Sequence, residues 1–303
     1  MKRQLRGQRM LITGASGGIG RALAQQASAA GARLLLSARS GPALEALAGE
    51  LNAAGGDAVA VPGDVTSEAD RRHLLRTAVE RFDGLDVLVN NAGVASFGHF
   101  ADSTEAVLRQ IMEVNFFAPA ELIRAAAPML MRGRQPAVVN IASMCGRRGM
   151  PAWSEYSASK FALCGLTEAL RGELARFDID VLLVIPGLTR SDLGRHLLRR
   201  TGRANIDFDS GMPPDDVARG ILGALGHNRT ETVLGRDARW LLRVHRFLPR
   251  LVDALLIRKV RQLYASDKEI GNPEPPAGGS ATAETTAAGA HEPAPAGSGG
   301  PLG

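Results

Sequence analysis

Cysteine is almost missing from this chain of 303 residues, which has two, so a disulfide scaffold is excluded. Aromatic residues make up only 4 %, with two Trp and two Tyr. A tyrosine in a polar, Ser-rich setting therefore stands out. No stretch approaches the roughly 20 uncharged apolar residues of a membrane-spanning helix. Segment 1–9 is basic and leads only into the short apolar run Met10–Ile12, far below the roughly 7–15 residues of a secretory signal. An intracellular, cytoplasmic protein is expected. The six His fall at no metal-ligand spacing, so no metal is expected. Excess charge is mild at +5, which allows an acidic partner without requiring one. What is present is ordinary for a folded protein: 45 % hydrophobic and 22 % charged residues.

Short apolar runs alternate with longer Ala/Leu/Arg segments over residues 1–235. The strand candidates are Met10–Thr13, Arg33–Ser37, Ala58–Val61, Asp86–Asn90, Ala137–Ile141, Asp180–Ile185 and Thr232–Leu234. Helix candidates lie near 17–30, 42–54, 67–82, 104–131, 155–176 and 214–226. Parallel strands need crossover connections, and strands buried on both faces read as continuous apolar runs. The rhythm thus predicts an α/β fold with a doubly wound parallel sheet of about seven strands. Three parts are expected: a domain over 1–235, a basic amphipathic helical extension over 236–268, and a Gly/Pro/Ala-rich tail over 269–303 that is too poor in apolar residues to order itself.

The first strand runs into Thr13-Gly14-Ala15-Ser16-Gly17-Gly18-Ile19-Gly20 and then an Ala-rich helix. Glycines there allow a tight turn, and the helix N-terminus presents free N–H groups to a pyrophosphate. The bland alternative is a tight strand-helix connection. At the end of the second strand, where a dinucleotide fold selecting NAD places an acid, the chain reads Ser37-Ala38-Arg39-Ser40. A carboxylate would repel a ribose 2′-phosphate, whereas Arg39 can fork onto it. NADP(H) is therefore favoured over NAD(H), against the alternative that Arg39 only solvates a strand end.

Tyr156 and Lys160 are spaced i, i+4, so a helix carries both on one face. A nearby ammonium favours phenolate, which predicts a lowered Tyr156 pKa and proton exchange with a substrate oxygen. Together with the Gly-rich turn, Asp64-Val65, Asn90-Asn91-Ala92-Gly93, Asn115, Ser143 and Pro186-Gly187, these residues give the chain a resemblance to the short-chain dehydrogenase/reductase superfamily, in its compact single-domain branch. The resemblance spans roughly residues 7–235. It implies a Rossmann-like fold and hydride transfer between a nicotinamide cofactor and a carbonyl or alcohol carbon. Asn115, Ser143, Tyr156 and Lys160 match the catalytic tetrad. Tyr156 would be the general acid/base and Ser143 would hold the substrate oxygen. Lys160 would bind the nicotinamide ribose, and Asn115 would hold a water linking Lys160 to solvent. Gly14, Ser16, Gly18, Ile19, Gly20, Arg39, Asp64, Val65, Asn91, Ala92, Gly93, Tyr156, Lys160, Pro186, Gly187 and Thr189 would contact the cofactor. Beyond the Pro-Gly turn, Thr189 and Ser191 stand where the family has a hydrophobic residue and a Thr.

The resemblance implies that the stretch after the Pro-Gly turn, with Leu193, Leu197, Leu198, Ile206, Phe208 and Met212, forms a lid over the substrate; with Met150 and Trp153 it suggests a pocket for an apolar carbonyl or alcohol compound. In the extension 237–265, Arg243, Arg246, Arg250 and Asp253 recur opposite Trp240, Val244, Phe247, Leu248, Leu251 and Leu255. That face suits either docking on protein or peripheral contact with a membrane surface. Nucleic-acid binding is not expected, because no reading motif accompanies the basic residues. A homo-oligomer is expected. A rival to the enzyme is a cofactor-sensing binding protein on the same fold, which would have no use for the complete tetrad.

Overall fold

The computed structural model describes residues 3–190, 192–194, 197–201 and 206–263. Strands β1 (Arg9–Thr13), β2 (Arg33–Ala38), β3 (Asp57–Pro62), β4 (Val87–Asn90), β5 (Ala137–Ile141), β6 (Asp180–Pro186) and β7 (Glu231–Leu234) form one sheet in the order β3-β2-β1-β4-β5-β6-β7. Every pairing is parallel. The expected Rossmann-like architecture is thus observed. The strand order reverses beside β1, and this switch point opens a crevice at the carboxyl ends of β1 and β4.

The apolar strand runs are explained by burial on both faces. Alternate residues of β1 and β2 (Met10, Ile12, Leu34 and Leu36) face helices α1 (Gly18–Ala29), α2 (Gly41–Ala53) and α7 (Pro214–Gly226). Their neighbours Leu11 and Leu35 face α3 (Glu68–Phe82) and α5 (Ala118–Leu130) on the other side. Each fully buried aliphatic side chain contributes about 1.5–3 kcal/mol, so the central strands are the best-stabilised part of the chain.

One expected helix differs. Instead of a continuous 104–131 helix there are α4 (Glu105–Met112), a wide π-turn (Glu113–Phe117) and α5. Pro119 lacks the N–H that would bond the Asn115 carbonyl in a regular helix, so the ladder widens there. The long α6 (Ser154–Ala175) carries the Tyr/Lys pair.

After β7 the chain continues into α8 (Arg236–Phe247) and α9 (Pro249–Leu263), with Pro249 opening the second helix. Ala238 and Val252 are buried, and Leu242 packs on Ala142, Cys164, Leu183 and Ile185. Residues up to Leu263 form one compact unit. The expected tail over 269–303 lies outside the described residues, as does Ser191.

Candidate active site

The Gly-rich turn sits at the carboxyl end of β1 and is sewn to the end of β4. The Thr13 hydroxyl accepts from the N–H groups of Asn91 at 3.0 Å and Ala92 at 3.1 Å. The Asn91 amide in turn donates to the carbonyls of Thr13 at 2.9 Å and Gly14 at 3.2 Å. This leaves no room for side chains. Gly14 has a φ of +65°, and a Cβ on Gly20 would come within 2.2 Å of the Gly14 carbonyl oxygen. Gly17 leads into α1 without a side-chain cap, so the first N–H groups of that helix point free into the crevice. A tight cradle ending on an uncapped helix fits the pyrophosphate of a dinucleotide.

Around that cradle stand the other expected cofactor residues. Arg39 is exposed at the end of β2 and makes no ion pair among the described residues. Asp64, half-buried after β3, accepts from the Thr66 N–H at 2.9 Å and hydroxyl at 2.8 Å, which fixes the loop carrying Val65. Pro186 ends β6. Thr189 is buried and donates to the Gly187 carbonyl at 3.2 Å, so its hydroxyl shapes the turn.

The tetrad converges at the ends of β4 and β5. Asn115 is fully buried in the π-turn. Its amide donates to the Val94 carbonyl and the Ser159 hydroxyl, both at 2.9 Å, and its oxygen accepts from the Val94 N–H at 2.9 Å. Lys160 donates to the Ile141 carbonyl at 3.0 Å. A Cβ placed on Gly93 would stand 3.3 Å from Asn115 Oδ1 and 3.7 Å from Lys160 Nζ, so the three meet at one point. Ser143 caps the short turn after β5, accepting from the Cys145 N–H at 3.2 Å.

The titration of the tetrad corrects one expectation. Burial pushes the Tyr156 pKa up, and the hydrogen bond with Ser143 offsets only part of that rise. The Lys160 ammonium is 5.8 Å from the phenol ring centroid and is itself drawn down to about 8 by burial. Tyr156 is therefore held as a neutral phenol. Burial also raises the Cys145 thiol to about 11, which makes it a wall of the pocket and no nucleophile.

Above Tyr156 lies an apolar wall of Met144, Met150, Trp153, Leu193 and Leu197. Trp153 packs at tilted angles on Tyr156 at 5.7 Å and Phe97 at 5.2 Å, and edge-to-face on Phe208 at 6.3 Å, between ring centroids. The segment bearing Leu197 and Leu198 is held by backbone bonds, with the Leu198 N–H on Ala95 at 2.9 Å and the Phe97 N–H on Arg199 at 2.8 Å.

Three features escape sequence reading. Glu155, beside Tyr156, is 1 % exposed; it accepts from Ser96 at 3.1 Å and faces Arg199 at 3.6 Å. Ser159 bridges Asn115 and the Tyr156 carbonyl. Asn140 joins Asn90 and Thr167 at 2.8 and 2.9 Å. Only Asn140 leaves a trace in the sequence, as a polar residue inside an apolar strand.

A family model described as short chain dehydrogenase matches residues 8–201. The chain belongs to that family. Among similar short-chain dehydrogenases is an uncharacterized oxidoreductase, YxnA, of Bacillus subtilis (strain 168), 35 % identical over 84 % of this chain and 72 % of the relative. A ketoacyl reductase, HetN, of Nostoc sp. is 32 % identical over 83 % of this chain and 88 % of its own length. Among solved structures, a short-chain dehydrogenase/reductase from Burkholderia phymatum in complex with NAD superposes with a TM-score of 0.76 at 26 % identity, covering 82 % of this chain and 96 % of that one. An alcohol dehydrogenase from Thermococcus sibiricus complexed with 5-hydroxy-NADP gives 0.68 at 26 % identity, covering 76 % and 96 %. This short-chain dehydrogenase is thus an oxidoreductase of a family that binds a nicotinamide cofactor.

Proposed function

We propose that this short-chain dehydrogenase works in the cytoplasm as an NADP(H)-dependent carbonyl reductase or alcohol dehydrogenase acting on a lipophilic small molecule. The observation that carries the reading is the buried Tyr156–Lys160 pair with half-buried Ser143 beside it, under a wall of Trp153, Met150, Leu193 and Leu197. Arg39 at the end of β2, with no acid beside it, supports NADP(H). When bound, the cofactor supplies or accepts the hydride.

The chain's own residues handle the oxygen and the proton. Ser143 donates to the substrate carbonyl oxygen and holds it against the Tyr156 hydroxyl. In reduction Tyr156 gives its proton to the oxygen as negative charge develops there; in oxidation it takes the proton back. A phenol kept neutral by burial holds the proton that reduction consumes. Lys160 stabilises the phenolate left behind, and Asn115, at the same point, would hold a water that links Lys160 to solvent and so returns the proton. The apolar wall excludes water from the reacting carbon.

A screen of NADPH oxidation over ketones and aldehydes of graded chain length tests this. Turnover with NADPH that rises with chain length is expected. Equal use of NADH would sink the cofactor assignment, and inactivity towards the whole series would sink the reaction. A binding protein without chemistry would retain NADPH and show no turnover. The complete tetrad speaks against it.

A further inference from the structure

The α8–α9 pair lies outside the catalytic machinery, and its outer surface is unlike the rest of the molecule. Among the described residues eleven large hydrophobic side chains are exposed, and six of them fall here: Trp240, Phe247, Leu248, Leu251, Leu255 and Ile257. Trp240 is 64 % and Phe247 77 % exposed. At a separation of seven, these two share one face of α8, and Leu251 and Leu255 share one face of α9. Residues 236–263 also hold eight Lys/Arg against two Asp, a net of +6 against +5 for the entire chain. Both acids keep contact with solvent, but each has a neighbour in the domain. Asp253 pairs with Arg148, and the Asp237 carboxylate lies against Gly187 and Gly235. The exposed surface of the pair is thus predominantly apolar and cationic.

We infer that this face docks on an anionic lipid surface, with Trp240, Phe247, Leu251 and Leu255 entering the headgroup boundary and the arginines holding acidic headgroups. Charge decides between occupants. A two-fold contact with a second copy would set this cationic surface against itself, whereas an anionic bilayer answers both its charge and its apolar side chains. Arginines interleaved with the apolar residues can lay their stems along that layer and keep their heads among phosphates. Among the described residues no helix is long and apolar enough to cross a membrane, so the inferred contact is interfacial. The salt bridge from Arg148 ties α9 to the loop between Ser143 and Tyr156, which seats the dehydrogenase by its substrate side.

The test is co-sedimentation of the full chain with phosphatidylcholine vesicles, with and without phosphatidylserine, over a salt series. Binding to the anionic vesicles alone, weakened by salt, is expected. Arg243→Gln, Arg246→Gln and Arg250→Gln should each weaken it roughly fivefold. Trp240→Ser with Phe247→Ser should abolish it while the thermal melt is unchanged. A full chain that stays in solution beside anionic vesicles overturns the inference, as does equal binding to both vesicle types. Loss of self-association in the Trp240→Ser, Phe247→Ser variant, in a parent that ignores vesicles, would assign the face to a second copy. Retention of that parent on polyglutamate would assign it to an acidic protein.

Discussion

At the amino ends of the strands, charges answer one another between neighbouring segments of the chain. Arg9 grips Asp86 at 2.6 and 3.1 Å, Arg33 meets Asp57 at 2.7 Å, and Arg3 meets Asp180 at 2.7 Å. At the carboxyl ends the arrangement is reversed. Lys160 is buried with a backbone carbonyl for company, Tyr156 is buried beside a serine, and Arg39 stands exposed without an acid. Parallel register explains the first group, since Arg33 and Asp57 are opposed at the starts of β2 and β3. The crevice explains the second: its donors stay uncommitted so that a small molecule can take them. One edge of the sheet spends its charges on the fold, and the other withholds them for chemistry.

Exchanging roles between the two edges should reveal this division. The largest effect belongs to Tyr156→Phe, which removes the proton donor. Turnover should fall by about 10²–10⁴-fold with the melting temperature nearly unchanged, as steady-state kinetics and calorimetry would show. A small loss of rate would mean that the carboxyl edge does not work through this phenol. Next comes Asp86→Ala, which strands Arg9 in a largely buried site and should cost about 3 kcal/mol in denaturant unfolding without changing the pattern of substrates turned over.

Asp86 also sets a pH dependence. Burial alone would raise its pKa, but hydrogen bonds from the Arg9 side chain and from the Arg9 and Arg134 backbone outweigh burial and hold it below 3.8. A folded-state pKa below the unfolded one contributes stability that is fully present above the unfolded value and is lost as pH falls through the folded value. Acid unfolding should therefore steepen below about pH 4, and Asp86→Asn should flatten that region. An unaltered profile would remove Asp86 from the account.

Arg39→Ala should raise the KM for NADPH roughly tenfold, as expected for a charge-assisted bond to phosphate, and leave that for NADH alone. Equal changes in both would make Arg39 a solvated strand end. The smallest effect is that of Arg33→Ala. Its pair with Asp57 is exposed, so under about 1 kcal/mol should be lost; a larger loss would show that even the solvated pairs of this edge bear weight.

Much of this contrast was legible before the fold was known, for reasons that differ by element. The strands were visible because burial on both faces leaves unbroken runs such as Val87–Val89. The Tyr156–Lys160 pair was visible because a helix turns i, i+4 spacing into proximity. The break in the 104–131 helix was not anticipated, although Pro119 carries the signal in its missing N–H. Arg39 could be placed because it directly ends a strand. The pair between Glu155 and Arg199 could not, since 44 positions separate two charged residues that composition reads as surface.

The state of Tyr156 shows the same limit from the side of electrostatics. Spacing places an ammonium near the phenol and argues for a lowered pKa. Desolvation depends on everything packed around the ring, and here it raises the pKa, with only the Ser143 hydrogen bond acting against it.

By itself the sequence determined the parallel sheet, the Gly-rich turn and the pairing of Tyr156 with Lys160, because each rests on local periodicity or on residues close together in the chain. Asn115 and Ser143 were reached only through the family resemblance. Only the tertiary structure decided which charges are paired, how Tyr156 titrates, and which face of the basic extension is left uncovered. These depend on burial and on contacts between residues far apart in the chain, and neither has a period to read.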